Sequence, residues 1–190
     1  MYYPDYASVE DPEAQQKFAE FWNYKPDPKK GLTVVEIMHA INDGKLHGLY
    51  ITGENPAMSD PDLYHARQAL ANLKHLVVQD IFLTETVYYA DVVLPASAFP
   101  EKTGTYTNTD RRVQLGRIGL NLPGDARQDL WIIQELARRV GLDWHYEGPQ
   151  EVFEEMRQCM PSSAGVTWDR LEREHSVTTP LKEEGDLAMP

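Results

Sequence analysis

Several short polar segments of this chain carry residue types able to hold a nucleotide. Gly53-Glu54-Asn55-Pro56 follows the apolar run 48–52 and precedes a helical pattern. A glycine there permits close backbone approach, and amide N–H groups at a helix start suit a phosphate. The same glycine, asparagine and proline equally suit a plain turn. Asp80 closes a second apolar run, 76–79. A carboxylate at that position can accept both hydroxyl protons of a ribose, or can cap the next helix or stand in solvent. Thr84 and Glu85 carry the same two readings, with N-capping the simpler role for Thr84. The stretch 101–114, EKTGTYTNTDRRVQ, offers Lys102, Gly104, Asn108 and the pair Arg111-Arg112. Arginine forks can grip phosphate, whereas the alternation over 105–109 and 112–118 equally describes a hairpin. Asp129 opens a helical pattern, for which N-capping is the default role. None of these is a G-x-G-x-x-G fingerprint, so a nicotinamide site is not indicated.

The elements that position these residues follow from periodicity. Thr33 is placed to cap a helix reaching Asp43, with Val34, Ile37, Met38 and Ile41 on one face and Gly44 ending it. Residues 48–52, 76–79 and 91–94 read as strands, and Ser59 or Asp60 as the cap of a helix with Pro61 in its first turn, running to Leu73. A short helix over 84–89 lies before the third strand. Helices alternating with strands predict a parallel sheet covered by helices. Ligands of open parallel sheets bind beyond the carboxyl ends of the strands. Gly53–Pro56, Asp80 with Thr84, and Pro95-Ala96-Ser97 all fall there. Beyond Pro123 the pattern turns helical. Ile132, Ile133, Leu136 and Val140 are spaced on one helix, Val152, Phe153 and Met156 on a second, and 167–174 forms a third.

Composition narrows the class. The chain has 190 residues, 30 acidic against 18 basic, a formal charge of -12 and 42% hydrophobic residues. That is the profile of a globular protein whose surface repels phosphate backbones, so nucleic acid is not an expected partner. A pyrophosphate ligand would need backbone amides or basic groups supplied from elsewhere. One cysteine, Cys159, cannot form an internal disulfide or hold an iron–sulfur cluster, and it reads as a structural thiol. The six histidines show no metal-ligand spacing. There is no 18-residue apolar run and no signal segment, so membrane insertion is not expected and the cytoplasm is the expected location. The acidic group Glu147, Glu151, Glu154 and Glu155 reads as a solvated helix face.

The segment 79–114, QDIFLTETVYYADVVLPASAFPEKTGTYTNTDRRVQ, together with 53–70, GENPAMSDPDLYHARQAL, resembles the catalytic subunit of molybdopterin oxidoreductases of the dimethyl-sulfoxide-reductase family. It looks most like the alpha subunit of formate dehydrogenases. The resemblance covers roughly 31–180 and implies a molybdopterin guanine dinucleotide cofactor bearing molybdenum or tungsten. It places Gly53, Glu54, Asn55 and Ser59 against one arm of the dinucleotide, Asp80 at the guanosine ribose, Thr84 beside it, and Asp129 near the guanine. It sets Gly104, Asn108 and Arg111 beside the pterin, Gly104 and Asn108 fixing the loop and Arg111 reaching an acidic or anionic neighbour. The family's acid near the guanine directly precedes a tryptophan; here the order is Asp129-Leu130-Trp131. The family's iron–sulfur cysteines and metal-ligating cysteine or selenocysteine lie upstream of the matching segment, so no metal ligand and no catalytic residue are expected here.

The expected fold is therefore α/β, a Rossmann-like parallel sheet flanked by helices with a helical C-terminal portion. The expected division is an extended arm over 1–30, a cofactor-binding α/β domain over 31–122, a helical portion over 123–180 and a disordered or appended tail over 181–190. The expected function is that of the cofactor-binding segment of a formate-dehydrogenase-like oxidoreductase, inactive alone, with the remainder of the catalytic subunit and electron-transfer subunits as partners. A non-catalytic homologous scaffold, such as that of the NADH dehydrogenase large subunit, and a stand-alone nucleotide-binding protein are the alternatives.

Overall fold

A computed structural model describes residues 2–183 and 185–186. In chain order its helices are α1 (Pro12–Phe21), α2 (Val34–Asn42), α3 (Pro56–Ser59), α4 (Leu63–Asn72), α5 (Asp129–Arg139), α6 (Pro149–Cys159) and α7 (Trp168–Glu174). Its strands are β1 (Gly48–Thr52), β2 (His75–Asp80), β3 (Val92–Pro95), β4 (Gly104–Thr107), β5 (Arg112–Gly116) and β6 (Ser176–Thr178). They divide into two compact units: one of Leu32–Glu101 with Leu120–Leu142, the other of the residues up to Gly31, Lys102–Gly119 and those from Asp143 onward.

The first unit is a three-stranded parallel sheet in the order β1-β2-β3, with helices supplying the crossovers. Register pairs Thr52 with Gln79 and Asp80 with Pro95, so the three strands end side by side. Leu76 and Val78 of β2 pack with Ile51, Ala57 and Leu70, while Met38 and Ile41 of α2 meet Ala66 and Ala69 of α4. A reciprocal capping box starts α2: Glu36 N–H donates to Thr33 Oγ1 at 3.3 Å and Thr33 N–H to Glu36 Oε2 at 2.7 Å.

The helix expected from Ser59 or Asp60 begins later, at Leu63, and a separate short helix, α3, precedes it. Asp60 precedes Pro61, which drives it to extended backbone (ψ 135°) and ends α3 at Ser59. Asp62 then caps α4, accepting from His65 N–H at 3.1 Å. Two of the expected helical faces are also narrower than their spacing implies. In α5 only Ile132 and Ala137 are buried, whereas Ile133 is 44% and Val140 74% exposed. In α2, Val34 stays exposed.

The second unit is an antiparallel sheet, β4-β5-β6, whose core joins Val113, Phe153, Val166, Trp168, Leu171, Val177 and Leu181. The hairpin expected over 105–118 is present, and β6 extends it with a strand that alternation over so few residues does not signal. Before Gly31 the chain is more than an arm: Tyr3, Val9, Ala14 and Phe18 form a core with Cys159 of α6, and the Tyr3 and Phe18 rings stack at 4.7 Å. Burial pushes the Cys159 thiol up from its ordinary range. Of the expected tail, Leu181 is buried, while Glu184 and 187–190 lie outside the described residues. No helix is long and apolar enough to cross a membrane among the described residues.

Candidate functional site

Beyond the carboxyl ends of β1, β2 and β3 lies a polar crest within the first unit. Gly53 leaves β1 in left-handed backbone (φ +63°), its N–H donating to Gln79 O at 2.9 Å. A Cβ at Gly53 would meet nothing within 4 Å, so the conformation alone demands glycine and the space above it is open. Asn55 ties this loop to the turn after β2. Its Oδ1 accepts from Thr86 N–H at 3.2 Å and Thr86 Oγ1 at 2.8 Å, while its Nδ2 donates to Glu85 at 2.7 Å. That last bond, foremost, holds the exposed Glu85 carboxyl below the usual carboxylate range.

The free amides expected at the helix start are largely engaged. Ala57 N–H donates to Thr86 Oγ1 at 3.1 Å, and the N–H groups of Met58 and Ser59 both donate to Asn55 O at 2.9 Å. The Ser59 hydroxyl also turns inward, to Asn55 O at 3.0 Å. Among the described residues the amides of Glu54 and Asn55 remain without an acceptor. Beside them a groove of about 520 Å³ runs between α2 and β1, bordered by Met38, Leu49, Ile51, Thr52, Glu54 and Asp60.

Asp80 Oδ1 accepts from Ile81 N–H at 2.7 Å and Phe82 N–H at 3.1 Å, so this side chain folds the loop after β2 rather than capping a helix. Thr84 occupies the N-cap position of the 3-10 turn over Glu85–Tyr89, yet its hydroxyl makes no capping bond. Its Oγ1 is buried without a partner among the described residues.

Asp129 is likewise no cap: Gln128 holds that position and Asp129 is the first residue of α5. Its carboxylate points back to the strands. Oδ1 accepts from Gln79 Nε2 at 2.7 Å and Oδ2 from Ser97 Oγ at 3.3 Å. Gln79 Oε1 accepts in turn from the Tyr50 hydroxyl. The Tyr50 phenol is pushed up by burial first, opposed by its bond with Thr52 and reinforced by the Asp129 charge. Gln79, Thr86 and Tyr50 carry no motif, and the available sign was a glutamine closing an otherwise apolar strand.

Gly104, Asn108 and Arg111 belong to the second unit. Gly104 opens β4 and pairs with Gly116. Asn108 N–H donates to Arg112 O at 3.0 Å, and Arg111, in left-handed backbone (φ +63°), donates its N–H to Asn108 O at 2.9 Å. Arg111 O accepts from Thr179 N–H at 2.9 Å, so its backbone anchors the segment after β6. The acidic contact expected of Arg111 is made by its neighbour, Arg112 Nε lying 3.6 Å from Asp110. No group of three His, Cys, Asp or Glu that could hold a metal exists among the described residues.

Comparison with known proteins matches residues 19–139 to a family model described as molybdopterin oxidoreductase. The chain is 46% identical over 172 residues to the F420-dependent formate dehydrogenase subunit alpha of Methanocaldococcus jannaschii, covering 89% of this chain and 25% of that one. The chain thus spans about a quarter of the length of this relative. A solved structure, acetylene hydratase from Pelobacter acetylenicus, matches with a TM-score of 0.62 at 20% identity, over 88% of this chain and 24% of the other. That likeness establishes the shared fold.

Proposed function

Because the chain belongs to the molybdopterin oxidoreductase family, we propose that its parallel-sheet unit holds the guanine nucleotide end of a molybdopterin guanine dinucleotide, as one segment of a formate-dehydrogenase-type catalytic subunit. The observation that carries this is the crest itself. The ends of β1 and β2 carry the Glu54 and Asn55 amides and the Asp80 carboxylate on one edge of one sheet, where ligands of open parallel sheets bind, and bonds from Gln79 and Ser97 hold the Asp129 carboxylate of α5 to the same sheet.

The donor and acceptor types fit a nucleoside. Asp80 Oδ1 is engaged by its own loop, and its other oxygen would accept from a ribose diol. Asp129 offers an acceptor to the N–H edge of a base. Thr84, just beyond β2, keeps a buried hydroxyl without a partner among the described residues, a donor that a bound nucleoside would satisfy. A pyrophosphate fits less fully: the two amides of Glu54 and Asn55 would meet part of it, and the remainder of the subunit would supply further cations beside this net-acidic chain. Ser59, turned toward Asn55, would shape the loop, and Gly104, Asn108 and Arg111 would shape the hairpin beside the pterin.

The cofactor's metal, molybdenum or tungsten, supplies the two-electron chemistry of formate oxidation to carbon dioxide in the complete enzyme. This chain binds and orients, and by itself does not oxidise formate. Its partners are the remainder of the catalytic subunit and the electron-transfer subunits. The test is a chimera in which this chain replaces the matching segment of the Methanocaldococcus jannaschii subunit. The expected result is a protein that releases GMP on acid hydrolysis and oxidises formate, with GMP content falling in Asp80→Ala. A folded chimera with no GMP would contradict the reading.

A further inference from the structure

The polar residues behind Asp129 are more completely buried than any residue so far given to the ligand. Gln79 is 1% exposed and Ser97 2%. Burying a side-chain amide is costly unless both its ends are paired, and Gln79 pairs both. Its Oε1 can only accept, so the Tyr50 hydroxyl must donate to it. This fixes the amide orientation, turning the Nε2 group toward Asp129 Oδ1 at 2.7 Å. From the other side Ser97 Oγ donates to Oδ2 at 3.3 Å. The terminal torsion of an aspartate is otherwise broad, and here it is gripped at both oxygens.

We infer that Gln79 and Ser97, with Tyr50 locking Gln79, are positioning residues that aim the Asp129 carboxylate at two adjacent N–H donors of a base, and so set this site's preference for guanine. The inference rests on the proposed role of Asp129 at the base. Guanine presents such a pair at N1 and N2, while hypoxanthine lacks the second donor. A site built around a fixed acceptor rejects an analogue that leaves that acceptor unpaired, whereas a freely turning carboxylate rotates to compensate.

The experiment titrates the full chain with GDP and with IDP, which differs only in lacking the 2-amino group, and reads the ratio of their affinities by NMR. The unaltered chain binds GDP more tightly. Gln79→Met, close in shape but unable to hold the carboxylate, lowers the GDP-over-IDP ratio about tenfold, equivalent to about 1.4 kcal/mol. Tyr50→Phe removes one partly exposed hydroxyl, keeps the sheet, and lowers the ratio about threefold, so the test survives a misfolded Gln79 variant. A purely packing role for Gln79 would weaken both nucleotides together and leave the ratio unmoved. An unchanged ratio in folded Tyr50→Phe and Gln79→Met, alongside loss of preference in Asp129→Asn, overturns the inference while the base-binding role stands. Equal or undetectable binding of GDP and IDP by the unaltered chain overturns the Asp129 role and the inference with it.

Discussion

Replacing Asn55 with alanine should unfasten the loop after β1 from the turn after β2. Asn55 Oδ1 accepts from the Thr86 amide at 3.2 Å and hydroxyl at 2.8 Å, and Thr86 is 0% exposed. An orphaned buried amide costs about 1–3 kcal/mol, and the hydroxyl, which keeps Ala57 as its donor, loses about 0.5–1.5 kcal/mol more. The Glu85 contact is fully exposed, and this figure counts the Thr86 bonds alone. Asn55→Ala is therefore expected to lose about 2–4 kcal/mol in urea unfolding followed by circular dichroism. Thr86→Val strips Ala57 N–H of its acceptor and should cost about 1–3 kcal/mol. Because the two residues share bonds, the double variant should fall short of the sum by about 1 kcal/mol or more. Glu85 gives a second readout. Its carboxyl is held low chiefly by Asn55, so it should titrate higher in Asn55→Ala when followed by NMR. A lowered carboxyl value stabilises the fold above the unfolded-state value and loses that effect as pH falls through the folded value, so this part of the variant's deficit shrinks in acid. A loss below about 0.5 kcal/mol in Asn55→Ala, or strict additivity of the pair, would refute the reasoning.

Gly53→Ala should cost about 1–2 kcal/mol from backbone strain alone, since the new methyl meets nothing within 4 Å, and Gly53→Asn should cost less. Thr33→Ala breaks the capping box of α2 and should lose about 0.5–2 kcal/mol in the same unfolding assay. Tyr146 is pushed up to about 12, first by its bond to Glu155, then by burial and the charges of Glu155 and Glu151. A raised tyrosine value stabilises fully below the ordinary value near 10 and fades as pH rises toward 12. Glu155→Gln should bring the phenol down, as read by ultraviolet titration, and should flatten that alkaline loss.

The parallel sheet was legible because apolar runs at 48–52, 76–79 and 91–94 alternate with helical spacing and each is followed by turn residues. Where sequence reasoning missed, another force had decided the matter. Spacing counted Ile133, Leu136 and Val140 as core, yet only one side of α5 is covered within its unit. Pro61 read as a helix start, but its hold on Asp60 made it a helix stop. Thr84 takes the expected N-cap position but makes no capping bond, its hydroxyl being buried, and the cap expected of Asp129 falls to Gln128 while Asp129 turns to Gln79 and Ser97. Those partners are far from Asp129 along the chain, and local patterns do not report such pairings. The core of Tyr3, Phe18 and Cys159 was hidden for the same reason, with proline-punctuated residues before Gly31 packing on a helix late in the chain.

The most direct test of nucleotide binding at the crest is residue-resolved: an NMR titration of the isotopically labelled chain with GDP, and with ADP as comparison. Saturable shifts centred on Gly53, Glu54, Asn55, Asp80, Thr84 and Asp129, stronger for GDP than for ADP, are the predicted result. Shifts scattered over the second unit, equal responses to both nucleotides, or no response at millimolar GDP would contradict it.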